Sequence, residues 1–199
     1  LCLAACANLN NSTRLQGVVA VGGPLPHAQV VVRDAKGTTV VANADARGHY
    51  SVDVSMLTAP LVLWASEAGN PNCRSNRLPR AICVTALLAS LRLGDNTANL
   101  NPLTDLITSD VATALHVIGP QQLAEGDAAP IVAPSVYSTA LGQLRAGFGA
   151  ALTLAGVGNV DSFDPVRTAM HADGRGVDAV LSVIHHTRGY DNNSGESSA

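Results

Sequence analysis

Histidine, serine and aspartate are the side chains with which this 199-residue chain could do chemistry. Neither the HExxH pair of a zinc site nor the G-x-S-x-G elbow of a serine hydrolase occurs, and no phosphate-binding glycine motif follows a strand. A dispersed Ser-His-Asp set stays open as an alternative, but surface or helix-capping histidines are the favoured interpretation. The sequence therefore predicts no catalytic residue, no metal and no cofactor. The six histidines are His27, His49, His116, His171, His185 and His186.

One acidic loop is a candidate calcium site. The segment 173–178 reads Asp-Gly-Arg-Gly-Val-Asp, so Asp173 and Asp178 could supply carboxylates and the backbone could supply further oxygens. An EF-hand-like loop needs a denser series of acidic ligands and a terminal glutamate, which this segment lacks. A turn followed by a helix is therefore the favoured interpretation, with Asp178 in the first helical turn, where a negative charge suits the helix dipole.

The thiol of Cys6 is a candidate for acylation. It follows Leu3-Ala4-Ala5, which has the form of a bacterial lipobox: an apolar residue, two small residues and then cysteine. The basic region and most of the apolar region of a signal peptide do not precede it, so the chain would begin partway through such a signal. Residues 1–13 are predicted to be a lipobox remnant and a polar tether, with Cys6 lipidated and the protein anchored to a membrane. The alternative is a buried or disulfide-bonded cysteine pair.

Besides Cys2 and Cys6 near the N-terminus, the chain has Cys73 and Cys83, and prolines at 71 and 79 keep the segment around these two irregular. In an oxidising compartment such a closed loop predicts a local disulfide. A zinc site does not fit, because no CxxC or paired CxH accompanies them. The alternative is two free buried thiols.

Three arginines in that loop concentrate positive charge on a chain whose net charge is −3. They could contact an anionic glycan or the carboxylates of an envelope protein, so they are a candidate partner-binding site. A solvated loop is the favoured alternative. The three residues are Arg74, Arg77 and Arg80.

Composition limits the remaining classes. The negative net charge argues against nucleic acid as a general partner. No apolar run is long enough to span a bilayer. Aromatic residues make up only 3% of the chain, so its core must be aliphatic and rich in alanine.

Strand-length apolar runs separated by turns fill the first half of the chain. A period of two with β-branched residues along 28–33 and 50–55 predicts strands with one buried face, and a last strand is expected over 61–66. The segments 34–37 and 45–48 begin with Asp and end with Gly, as four-residue turns do. Gly48 is expected at positive φ and Tyr50 is expected to point inward. Residues 82–93 are a further strand-like run, and 94–97 is expected to be a turn.

These motifs resemble the carboxypeptidase regulatory-like domain over residues 16–66. The resemblance rests on Gly17-x-Val19, on Pro24 to Val30 and on the D-x-x-G-x-Y element from Asp45 to Tyr50. It implies a transthyretin-like sandwich of the kind found as an accessory module in secreted and surface proteins. Together with the segments 99–106 and 173–181, the chain resembles a group of uncharacterised bacterial surface lipoproteins, which implies location and architecture but no activity.

Helical periodicity dominates the second half. Asn101 is a plausible N-cap with Pro102 at the first helical position, and Gly119-Pro120 is expected to stop that helix. Residues 121–134 are expected to be a loose connector. The longest helix is predicted over about 135–155, where glycines are expected to permit close packing, and a short helix follows at 177–184.

The sequence thus predicts an α+β protein. An N-terminal transthyretin/Ig-like antiparallel β-sandwich over 14–93 would precede a helical region over 94–188, packed on or beside it, and a disordered tail over 189–199. The expected function is that of a non-enzymatic bacterial cell-envelope lipoprotein in the outer membrane or periplasm, with the sandwich as spacer or binding module. The alternatives are a subunit of a surface fibre or adhesive assembly and a hydrolase with a site between sandwich and helices.

Overall fold

Seven strands and four α-helices make up the described part of the chain. The computed structural model describes residues 12–67 and 82–187. The strands are β1 (Thr13–Val18), β2 (Gln29–Asp34), β3 (Thr39–Asn43), β4 (His49–Asp53), β5 (Leu61–Ser66), β6 (Cys83–Leu88) and β7 (Gly94–Thr97). The helices are α1 (Pro102–Ala114), α2 (Pro120–Glu125), α3 (Pro134–Leu154) and α4 (Val177–Thr187), with a short 3-10 turn at Val160–Ser162.

The strands form two sheets. One has the order β4-β1-β7 and the other the order β3-β2-β5-β6. All pairings are antiparallel except that of β1 with β7, which is parallel. The α+β class predicted from the sequence is therefore confirmed.

One hydrophobic core joins the two sheets. Leu15 of β1 and Tyr50 of β4 belong to the same buried cluster as Val30 of β2 and Leu63 of β5. Most other members are Val, Leu and Ala, as the scarcity of aromatic residues predicts. This cluster fixes the inward faces of the strands.

A second core joins the four-stranded sheet to the helices. Val62 and Trp64 of β5 lie in one cluster with Leu103 of α1, Leu144 of α3 and Leu181 of α4. All six residues of β5 are buried, and so are all six of β6, because the sheet is covered on both faces. The strand expected over 61–66 is confirmed. The one-sided burial expected over 28–33 is wrong at Val31, which is buried in this second core.

The turn at 45–48 has the structure that the sequence predicts. Gly48 has φ +78° and Tyr50 is 4% exposed, so both expectations at this turn are confirmed. Asp45 closes the turn, because one of its carboxylate oxygens accepts from the N–H of Arg47 at 2.8 Å and from that of His49 at 2.9 Å.

The first helix begins where the sequence predicts. Asn101 is its N-cap and accepts from the N–H groups of Leu103 and Thr104, while the Thr104 hydroxyl accepts from the Asn101 N–H. This reciprocal box satisfies donors that a helix start leaves unpaired. Pro102 occupies the first turn, where its missing N–H has no cost.

Four expectations about the connecting segments are wrong. Residues 94–97 form β7 instead of a turn, because β1 offers them a parallel partner. The strand expected over 82–93 ends at Leu88. The first helix, expected to run to Gly119, ends at Ala114. Helix α2 begins at Pro120 and occupies the first part of the segment expected to be a connector.

Two of the three glycines of α3 have no packing role inside the described fold, whereas a Cβ on the third, Gly149, would contact Val160 at 3.8 Å. A Cβ placed on Gly142 or Gly147 would have no neighbour within 4 Å in the described residues. Close intramolecular approach is therefore the wrong explanation for these two positions. None of the described helices is both long and apolar enough to cross a membrane.

Candidate functional site

Most of the predicted site residues lie outside the described ranges. Cys6, Cys73 and the three loop arginines Arg74, Arg77 and Arg80 fall in segments 1–11 and 68–81. Cys83 is described: it opens β6, pairs with Ser66 of β5 and is 4% exposed. The lipidation of Cys6, the bridge between Cys73 and Cys83 and the arginine site therefore remain predictions.

The described histidines do not converge. His27, His49, His116 and His171 are all exposed and lie on separate segments. His27 and His116 have φ of +56° and +58°, which places them in turns. Among the described side chains, no three His, Cys, Asp or Glu residues come together in a way that could hold a metal ion.

Asn99 joins three distant parts of the chain. Its carbonyl oxygen accepts from the Val18 N–H at 3.2 Å, and its amide nitrogen donates to the carbonyls of Pro165 at 3.1 Å and Thr168 at 2.7 Å. Asn99 is 1% exposed. A buried amide with all of these partners fixes the segment after α3 against the end of β1.

Asp105 attaches α1 to β6. One carboxylate oxygen accepts from the Thr85 N–H at 3.1 Å and from the Thr85 hydroxyl at 2.6 Å. The preceding residue, Thr104, donates its hydroxyl to the Thr85 carbonyl at 2.7 Å. Thr85, Thr104 and Asp105 are each at most 1% exposed. Since β6 lacks a further strand beyond it in the described sheet, these side chains supply backbone partners that a strand would otherwise give.

Asp34 performs a similar structural role at the other end of the sheet. Its carboxylate accepts from the N–H groups of Lys36, Thr38 and Thr58 at 2.7–2.9 Å, and its carbonyl accepts from the Ala129 N–H. Burial disfavours the charged form, but the three N–H donors outweigh it and hold the pKa of Asp34 below its usual range. The carboxylate therefore fixes its own turn and the segment at Thr58, and the backbone carbonyl of Asp34 holds Ala129.

Arg33 holds the segment after α2. Its guanidinium donates to the carbonyls of Ala124, at 2.8 Å, and Gly126, and lies 4.9 Å from the centre of the Trp64 ring. A planar guanidinium can stack on an aromatic ring while donating in its own plane. Arg33 is thus committed to structure and not to a ligand.

Asp178 differs from these groups because half of its carboxylate has no partner. The Gly174 N–H donates to one oxygen at 2.7 Å, and the other oxygen is buried with no hydrogen-bond partner in the described structure. Burial, together with the negative charge of Asp173, raises the pKa of Asp178. The loop 173–176 is the turn that the sequence predicts, with Gly174 and Gly176 at positive φ.

Two open grooves flank α3. The polar groove lies between α1 and α3 and has a volume of ≈470 Å³. The polar groove is lined by an exposed carboxylate, three hydroxyls and an amide, which belong to Asp110, Thr113, Ser135, Thr139 and Gln143. The small or apolar residues Ala114, Val136 and Ala140 complete the lining.

The apolar groove lies between the end of α3 and α4 and has a volume of ≈580 Å³. Its lining contains neither a charged side chain nor a polar one. The residues are Phe148, Ala151, Leu154, Ala155, Gly156, Gly176, Ala179, Val180, Val183 and Ile184. The two grooves can hold a partner by different means: the polar groove through hydrogen bonds and the apolar groove through removal of hydrocarbon from water.

Sequence reasoning found the cap at Asn101 but missed its neighbours. Thr85 and Asp105 lie in segments predicted as strand and helix, and Asn99 lies between the expected turn at 94–97 and the cap. No local pattern marks any of the three as buried. The grooves were missed because they depend on how α1, α3 and α4 lie against one another. No protein-family model matches this chain, and a comparison with curated proteins finds no similar sequence.

Proposed function

We propose that this protein is a non-enzymatic lipoprotein of the bacterial cell envelope, held at the outer membrane or on the periplasmic side by acyl chains on Cys6. The proposal rests chiefly on one observation: the lipobox-like Leu3-Ala4-Ala5-Cys6 precedes a polar stretch, and β1 begins directly after it at Thr13. A short polar tether between an anchor and a folded body is what surface attachment requires.

The folded body would act as a spacer or binding module. Two of its buried polar side chains hold layers together: Asn99 joins β1 to the segment after α3, and Asp105 joins α1 to β6. Such a rigid body keeps its surface grooves in a fixed shape. The hydroxyls, amide and carboxylate of the polar groove suit an uncharged polar partner such as a glycan.

The finer fold assignment is also a proposal. A transthyretin/Ig-like sandwich over 14–93 is supported by the two sheets that share one core and by the turn in which Gly48 has positive φ. Strand β7, which pairs with β1, would extend this unit by a few residues beyond 93.

The arginines of the 68–81 segment are a second proposed contact. Reversal of the charges at Arg74, Arg77 and Arg80 should weaken association with an anionic envelope partner, and the loss should diminish at high salt, because screening removes interactions between exposed charges. Unchanged association would leave these residues as a solvated loop.

A subunit of a surface fibre is the alternative that the strand order favours. β3 is an edge strand whose residues alternate between exposed and half-buried, and Val41 on it is 54% exposed. An edge of this kind can accept a strand from another chain. Filaments that lengthen with protein concentration, seen by electron microscopy, would favour this alternative.

Detergent partitioning tests the main proposal. The protein expressed with a complete signal peptide should enter the detergent phase of a Triton X-114 separation, and Cys6→Ser should move it to the aqueous phase. Cys2→Ser is the matched control, because it removes a neighbouring thiol and should leave partitioning unchanged. A Cys6→Ser variant that stays in the detergent phase would refute the lipid anchor.

A further inference from the structure

Strand β3 carries backbone groups that face away from its own sheet. The Ala44 N–H donates to the Ala28 carbonyl at 2.8 Å, and the Asp34 N–H donates to the Thr38 carbonyl at 3.0 Å. Residues of an antiparallel pair alternate between those that bond to the partner strand and those that face away from it. The even-numbered residues of β3 therefore bond to β2, and three residues face outward. They are Thr39, Val41 and Asn43.

These outward groups have no partner in the described part of the chain. The N–H and carbonyl groups of Thr39, Val41 and Asn43 make no hydrogen bond to another described residue. All three residues are exposed, and Val41 is 54% exposed. A strand laid along this edge would therefore receive the bonds that an inner strand of a sheet makes.

The other three sheet edges each carry a protecting feature. On β6, at the opposite edge of the same sheet, the N–H and the carbonyl of Thr85 both bond to side chains of α1. On β4 the N–H and the carbonyl of His49 both bond to Asp45 of the adjoining turn. Strand β7 carries the exposed carboxylate of Asp95. Cover and charge are the usual means by which proteins prevent edge-to-edge pairing.

Strand β3 has none of these features. Its sequence is Thr-Val-Val-Ala-Asn, which contains neither a charged residue nor a proline. Its outward backbone groups are not bonded to any described side chain, in contrast to those of Thr85 and His49. An uncharged edge with β-branched residues is a template for another extended backbone. The partner that this edge fits is therefore a β-strand.

A second copy of β3 matches this edge residue by residue. Two antiparallel copies related by a two-fold axis at Val41 place the two Val41 residues opposite each other, where each donates to and accepts from the other. Thr39 then lies opposite Asn43, and Val40 opposite Ala42. Polar residues thus meet polar residues, and apolar residues meet apolar ones. The strand has no charge, so this pairing opposes no like charges, although the whole chain has a net charge of −3.

We propose that this protein forms a homodimer through β3, in which antiparallel pairing about Val41 joins the two four-stranded sheets into one continuous sheet. The pairing uses the β3 edge of both copies, so the assembly closes at two chains. The contact is smaller than a standard interface, so the dimer Kd lies in about the micromolar range or above. This inference does not depend on the lipid anchor.

Sedimentation equilibrium on the whole, unlipidated chain tests the proposal. Cys2→Ser and Cys6→Ser are introduced first, so that these thiols cannot crosslink copies. Val41→Lys and Val41→Glu form the critical pair, because the two-fold axis opposes like charges in either variant alone and unlike charges in a mixture of the two. Each variant alone should raise the dimer Kd by at least about fivefold. An equimolar mixture should restore it to within about twofold of the parent.

Ile118→Lys is the control for the added charge. Ile118 is 95% exposed and lies outside β3, so this variant should leave the dimer Kd unchanged. The recovery in the mixture shows that the two Val41 variants are folded, because unfolded chains would not pair in one register.

Amide hydrogen exchange tests the register. The amides of Thr39, Val41 and Asn43 should exchange about tenfold more slowly once roughly nine-tenths of the chains are paired, because exchange then proceeds through the unpaired tenth. Ser51 faces away from β1 on the β4 edge, so its amide is the matched control and should keep its rate at all concentrations.

Several results would overturn the proposal. One is a parent chain that stays monomeric up to about 1 mM. Others are a dimer that Val41→Lys does not weaken, and a mixture of the two Val41 variants that pairs no better than either alone. Open-ended filaments in place of a dimer would also contradict a closed two-fold pair.

Discussion

The hydroxyl of Tyr50 donates a hydrogen bond to the carbonyl oxygen of Ala98 across 2.5 Å, and both residues are buried. Tyr50 lies on β4 and Ala98 directly follows β7, so the bond crosses the intervening strand β1. Gly17 of β1 pairs with Tyr50, and a Cβ there would stand 1.9 Å from the same carbonyl oxygen. The glycine therefore makes room for a tyrosine that joins the two outer strands of its sheet.

Tyr50→Phe tests this bond. The variant keeps the buried ring but leaves the Ala98 carbonyl without its side-chain donor in the interior. An unsatisfied buried acceptor costs about 1–3 kcal/mol, so the free energy of unfolding, measured by urea denaturation, should fall by that amount. A loss below about 0.5 kcal/mol would contradict a structural role for the hydroxyl.

Gly48→Val should destabilise the protein by more than about 1 kcal/mol. Gly48 has φ +78°, and a Cβ on it would lie 2.4 Å from the Val19 carbonyl oxygen. Gly94→Val is the control, because Gly94 has a similar φ of +85° but its Cβ would adjoin open space within the described chain. Equal losses in the two variants would show that the close approach to Val19 does not matter.

The parts of the fold that the sequence predicts are those with local signals. The cap at Asn101 and the turn at Gly48 each depend on residues within a few positions, so both are placed correctly. Strand β7 instead depends on a partner strand that is distant in the sequence. Gly94 has positive φ and the Asn96 amide bonds back to the backbone of Arg92, so the segment does carry turn chemistry. Its pairing with β1 is non-local, and local turn signals do not reveal it.

Asp178→Asn should reveal the cost of a buried carboxylate with one unpartnered oxygen. The asparagine carbonyl can keep the bond from Gly174 while removing the charge. Because burial raises the pKa of Asp178, the unfolded chain loses its proton at lower pH than the folded protein. The contribution of Asp178 to the free energy of unfolding of the parent therefore falls as pH rises from about 4, the usual aspartate pKa, to the raised pKa, and is level above it.

The Asn variant lacks this fall. Its stability relative to the parent should thus be greater at neutral pH than below about pH 3.5, where both side chains are neutral. Urea unfolding of both proteins at the two pH values measures the difference. A relative stability that is the same at both, or lower at neutral pH, would show that folding does not raise the pKa of Asp178.

Cys73 and Cys83 should form a disulfide in protein from an oxidising compartment. Cys83 opens a buried strand, and a short loop back to Cys73 can bring two Cα atoms within the roughly 4.4–6.8 Å that a bridge requires. Reduction should lower the melting temperature without unfolding the protein at room temperature, because the loop closure contributes only about 2–3 kcal/mol. Two free thiols in non-reducing mass spectrometry would refute the bridge.

The candidate sites were less predictable than the fold. The aliphatic repeat of α3 identifies its buried side, with Leu141, Leu144 and Leu152 inside. It does not reveal that Leu154 stays exposed, because that depends on where α4 lies. Asp178 is similar: its position in a first helical turn is a local property, whereas its burial follows from the packing of α4 on the bend at Gly22.

The intact mass of the protein extracted from its own membrane tests the proposed lipid anchor on Cys6. If Cys6 is acylated, the mature chain begins at Cys6 and carries the added mass of acyl chains, and this species is lost in Cys6→Ser. A mature chain that retains residues 1–5, or in which Cys6 is unmodified, would rule out the anchor.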